Sequence, residues 1–238
     1  MNKQKGATLI VVLILLVALT VIGTLAIRQS IVSLSIATNG QAQQLLTQNS
    51  DAAIFQVEDP NRIRGYRSGV GIFGALAKPD SKGKELVFCY RGNQASFFSQ
   101  NQASVVFEQD GSIVSNSQGT AGYCRVGSQN FFTSNRRAVL TQVSVPHLGA
   151  GDANPFQFAL RGTDTKYSKM KDAERVVVNA ISLVPALSSA SDDEINACLS
   201  GHVSNSSTAA NRITTCLTNL NVPFTTHVAE YTLRQGFV

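Results

Sequence analysis

The sequence predicts an α+β fold: one very long amino-terminal helix leaning on an antiparallel β-sheet domain. Three observations predict it. Residues Ala7 to Ile27 include no charged side chain. Beyond them, apolar residues recur at steps of three and four as far as the Asp59-Pro60 pair. From Glu85 onward, short runs of β-branched and aromatic residues alternate with turns rich in Gly, Ser and Asn. The 238 residues suffice for one globular domain plus an extended segment.

The uncharged run comes first. Its 21 residues would span roughly 30 Å as a helix, the thickness of a bilayer core. The apolar region of a cleavable secretory signal is shorter, at about 7–15 residues. The flank Arg28-Gln29-Ser30 also lacks the small residues of a signal-peptidase site. A retained membrane helix is therefore expected over residues 7–27. Lys3 and Lys5 precede it and would hold the amino terminus in the cytoplasm, leaving the rest in the periplasm.

The helix should continue past the membrane over residues 28–59. Ile31, Leu34, Thr38, Ala42, Leu45, Asn49 and Ala53 fall on one narrow face. Gly23 and Asn39-Gly40 are weak points, since glycine costs about 1 kcal/mol in a helix relative to alanine. Pro60 ends the helix, because the residue before a proline is held out of the helical region.

Residues 60–238 form the expected periplasmic domain. Asn61 to Lys84 is glycine-rich and reads as irregular loop. Its Gly69-x-Gly71-x-x-Gly74 spacing follows no strand and is not a nucleotide fingerprint. Strands are expected at Glu85–Tyr90, Ser104–Glu108, Ile113–Val114, Pro155–Arg161, Arg175–Val184 and Thr225–Gln235, with Ala121–Val126 able to pair beside them. Asp110-Gly111 marks a hairpin turn. Ser191 with Glu194 three residues later is a capping-box signature for a helix to Leu199, and Asn211–Leu220 suits a second short helix.

Cys89, Cys124, Cys198 and Cys216 all follow the apolar segment. An even count in an exported domain reads as two disulfides, with three pairings open. Cys89–Cys124 and Cys198–Cys216 are favoured because each closes a local loop. Four reduced, buried cysteines are the alternative. No CxxC pair occurs, and His147, His202 and His227 show no ligand spacing with the cysteines, so neither metal nor cofactor is expected.

The formal charge is +5, of which Lys3 and Lys5 supply two. The nearest approach to a basic cluster is Arg62, Arg64 and Arg67, with no aromatic platform or recognition helix beside it. No GxSxG or HExxH motif exists, and Asp192-Asp193-Glu194 suits a helix amino terminus. His147 follows Pro146 in an expected loop, a place where functional residues can sit. The chain does not read as an enzyme.

A short charged leader ending in Gly6, the uncharged run from Ala7, and the amphipathic continuation together resemble type IV pilins and pseudopilins. The string Lys5-Gly6-Ala7-Thr8-Leu9-Ile10-Val11-Val12-Leu13 is most similar to PilX-type minor pilins, and the resemblance covers about the first 55 residues. It implies a leader of residues 1–6, cut after Gly6 by a prepilin peptidase that then methylates the new terminus at Ala7. Major pilins usually start with Phe there. They also carry a glutamate at the fifth mature position, which is Val11 here, and no Asp or Glu precedes Asp51. That departure resembles the GspK-like tip pseudopilins of secretion systems. The resemblance implies a minor pilin that initiates, assembles or caps a type IV pilus at or near its tip. Its implied partners are other minor pilins, the major pilin, the inner-membrane assembly platform and the membrane around residues 7–27. A type II secretion pseudopilin is one alternative. A tip adhesin or DNA-uptake module is another; nucleic acid would enter only by that last route.

Overall fold

A computed structural model describes residues 7–66, 68, 71–76, 79–81, 83–92, 98–116, 122–134, 136–147 and 174–233. The leader Met1 to Gly6 and the strand expected at Pro155–Arg161 lie outside the described residues. The chain divides into two units, Met1–Gln44 and Leu45–Val238. Helix α1, Ala7–Val57, contributes to both.

Residues 8–41 of α1 all bear exposed side chains, and Ala42 is half-buried. In the second unit the helix does bury one face, formed by Leu46, Ser50, Ala53 and Val57 with Ile54 beside them. Ala53 lies on the expected stripe and is buried, but Leu46 and Ser50 take the places expected of Leu45 and Asn49, and Leu45 remains 42% exposed. The physical reason is Ser50. Its hydroxyl donates to Ser182 Oγ at 2.7 Å, so a polar residue occupies a central contact position that apolar periodicity skips.

After α1 the glycine-rich stretch is not plain loop. Short helices α2 (Ile63–Tyr66) and α3 (Ile72–Leu76) bring Ile72, Phe73 and Leu76 into the core. Tyr66, Phe73 and Phe98 meet edge to face, with Tyr66 and Phe98 centroids 5.0 Å apart.

Six strands follow: β1 (Lys84–Tyr90), β2 (Ser104–Gln109), β3 (Ser112–Asn116), β4 (Leu140–Pro146), β5 (Glu174–Leu183) and β6 (Phe224–Leu233). They form one antiparallel sheet in the order β3-β2-β1-β4-β5-β6. Asp110 and Gly111 both have positive φ, which closes the β2–β3 hairpin with the backbone twist such turns need. The stretch Ala121–Val126 is able to pair as a strand by its sequence, but its described part, from Gly122, joins no strand. Instead it crosses the sheet at close range. A Cβ on Gly122 would meet Val87 O and Ser104 N, so only glycine fits.

No strand is expected at Leu140–Pro146 from the sequence, yet β4 is central, paired to β1 and β5. Thr141, Gln142 and Ser144 interrupt its apolar pattern, and all three are buried.

The two sheet faces carry separate cores. One face packs Leu86, Phe88, Val143, Val145, Val176, Val178 and Ala180 against Ala53, Ile54 and Val57 of α1. Two polar contacts tie the same helix to the edge strand: His227 Nδ1 to Asp51 Oδ1 at 2.7 Å, and Tyr231 Oη donating to Glu58 Oε1 at 2.8 Å. The other face packs Cys89, Leu140, Ile181 and Leu183 against α4 (Asp192–Gly201) and α5 (Ile213–Asn219). Ser191 caps α4 in a full capping box with Glu194.

Candidate functional site: the apolar helix

The first unit is a helix without a core. From Leu9 to Ile36 its large apolar side chains point outward on every side. In water that much exposed apolar surface would be strongly unfavourable, and a surface of this size marks contact with lipid or protein. Its length and composition suffice to cross a membrane.

The polar side chains within it are satisfied locally. Thr20 and Thr24 hydroxyls donate to the carbonyls of Val17 and Val21 at 2.8 and 2.9 Å. Ser35 and Thr38 bond to Ile31 O and Leu34 O at 3.0 and 2.9 Å. Such bonds leave no hydroxyl hydrogen to satisfy in an apolar surrounding, at the cost of a slight bend. Of these, only Thr38 was named from the sequence, as part of the helix stripe, although a Ser or Thr inside an apolar run signals this bonding.

Val11 lies in this unit, 56% exposed, with apolar neighbours Ile10 and Val12. Ala7 opens α1, and Gly6 lies outside the described residues. Arg28 is the first charged side chain described in the helix.

The cysteines belong to the second unit. Cys89 is joined to Cys124 and Cys198 to Cys216, with Cα–Cα distances of 4.9 and 5.7 Å. The first bond ties β1 to the crossing segment, and the second ties α4 to α5. Between them lies a residue that sequence reasoning missed. Gln142 Oε1 accepts from Cys124 N at 3.1 Å, and its Nε2 donates to Leu199 O at 2.9 Å. Asn196 adds a second tether, with Val126 N donating to its Oδ1 at 2.7 Å. His147 follows β4, and its backbone N donates to Lys84 O at 2.9 Å. Among the described residues no group of His, Cys, Asp or Glu could hold a metal ion.

An apolar helix long enough to cross a membrane, joined to a six-stranded antiparallel domain, gives the α+β arrangement of a pilin-like fold. Comparison with protein families narrows the class: the family described as PilX N-terminal matches residues 5–55, which supports a PilX-like type IV pilin with a minor-pilin role. Along the described residues the match runs from the start of α1 to Phe55 and does not reach the sheet domain. Neither the curated proteins nor the solved structures compared with the chain gave a match.

Proposed function

We propose that this minor pilin works at or near the tip of a type IV pilus, where it helps to initiate, assemble or cap the filament. The carrying observation is chemical. The first fifty residues contain no carboxylate, and Val11 stands where the fifth mature residue would be. A carboxylate in lipid costs several kcal/mol unless it is paired. In a filament, such a group would pair with the amino terminus of the preceding subunit. A subunit that begins the filament has no predecessor and loses nothing by carrying valine.

Assembly is then a transfer between apolar surroundings. The helix leaves lipid for a bundle of other subunits' helices, and its outward-facing side chains stay out of water throughout. Processing after Gly6 frees the amino terminus at Ala7. Lys3 and Lys5 keep that end cytoplasmic until cleavage, with the sheet domain in the periplasm. The partners in this account are the prepilin peptidase, the inner-membrane platform, other minor pilins and the major pilin. A pseudopilin of a type II secretion system would share the leader, the helix and the valine.

A photo-crosslinker placed at Val11 tests tip location. Adducts with other minor pilins are expected. Adducts to major pilin on both sides along the shaft would sink the tip assignment.

A further inference from the structure

Glu85 is an acid in an unusual setting. It lies in β1, between Val106 of β2 and Pro146 of β4, and its side chain is buried. Among the described residues no ion pair engages it. Its two oxygens both accept from Ser204 N at 3.0 Å. Ser204 lies in the 203–206 loop, which joins α4 to the turn before α5 inside the Cys198–Cys216 loop. Asn179 of β5 donates to Ser204 Oγ at 3.0 Å, and Ser206 Oγ donates to Glu108 Oε2 at 2.7 Å. Val203 packs beside them against Val87, Val106 and Tyr123. A buried carboxyl is thus the sheet's central handle on the disulfide-tied insert.

We propose that Glu85 is a proton-operated latch: its protonated carboxyl holds residues 203–206 on the sheet, and ionisation at rising pH loosens that loop. Enclosure favours the neutral form, whereas the Ser204 N–H that both oxygens accept from favours the charged one. Burial without a cation penalises the charge. Burial is the largest influence and pushes the Glu85 carboxyl up to about 7, against the opposing hydrogen bonds from Ser204, Ser144 and Asn205.

The surrounding charges do not relieve it. Glu108 of β2 is a further acid. Tyr123 on the crossing segment is pushed up to about 12, by burial first and then by Glu85 itself. Arg212 spends its Nε on Ser206 O at 2.7 Å, and the Lys84 ammonium sits 5.9 Å from the Phe107 ring centre. His202, next to the loop, has a buried Nδ1 without a partner, and His147 follows β4. A carboxyl raised in the folded state contributes fully below its unfolded value, and the contribution is lost as pH rises through about 7.

Amide hydrogen exchange of the full-length protein in detergent micelles, followed from about pH 5 to about pH 8.5, tests the latch. After correction for base-catalysed exchange, protection at Ser204 and Asn205 should fall at least about tenfold across that range. Glu85→Gln, which keeps the shape without the charge, should abolish the fall. A flat profile in the wild type, or the same profile in Glu85→Gln, overturns the proposal. The wild-type carboxyl carbon shift of Glu85 gives a test that needs no variant: a midpoint near 7 supports the latch, and one near the ordinary 4.5 overturns it.

Discussion

Gln142 Nε2 donates to the carbonyl of Leu199 at 2.9 Å, beside Cys198, while the same side chain accepts from Cys124 N. One buried amide therefore joins the two disulfide-bearing parts of the domain through the middle of the sheet. Replacing it with leucine leaves both an N–H and a carbonyl unpaired in the interior. Gln142→Leu should lose about 2–4 kcal/mol of stability. Urea unfolding of the full-length protein in micelles measures this, and a loss below about 1 kcal/mol would mean the amide is dispensable.

The disulfides themselves stabilise by restricting the unfolded chain. They close loops of 35 and 18 residues, for which loop entropy gives about 4 and about 3 kcal/mol. Paired alanine variants at Cys89 with Cys124, and at Cys198 with Cys216, should differ in that order in unfolding midpoint. Equal midpoints with and without reductant in the wild type would contradict the account.

Ser50 couples helix to sheet through Ser182, which also shares a 2.7 Å hydroxyl contact with Thr141. Ser50→Ala should cost about 1–2 kcal/mol, and a double-mutant cycle with Ser182→Ala should show coupling of at least about 0.5 kcal/mol. Additive losses would show that the two hydroxyls act independently.

The contact between His227 and Asp51 is more exposed and should matter less. His227→Ala should cost under about 1 kcal/mol, as exposed ion pairs do. A larger loss in the same unfolding assay would show a structural role that the geometry does not suggest.

Much of the fold was legible because strong local signals agreed with the tertiary result. The uncharged run, the Pro60 stop, the Asp110-Gly111 turn and the Ser191–Glu194 box all act within a few residues of themselves. The central strand β4 was not legible for the opposite reason. Thr141, Gln142 and Ser144 look like surface residues, and only distant partners such as Ser182 and Leu199 make them fit for burial. Ser50 displaced the helix face in the same way. Glycine density hid α3, although Ile72, Phe73 and Leu76 give it a buried face. At the candidate site, the helix was plain from composition, whereas Glu85 looked like one more polar position in a strand.

The central claim is that this chain is processed as a pilin and enters a filament. Mass spectrometry of the protein recovered from sheared surface filaments tests it most directly. A mature amino terminus at Ala7, carrying a methyl group, is expected. A terminus still at Met1, or one beyond Ile27, would contradict it and leave a plain membrane anchor or a secreted protein.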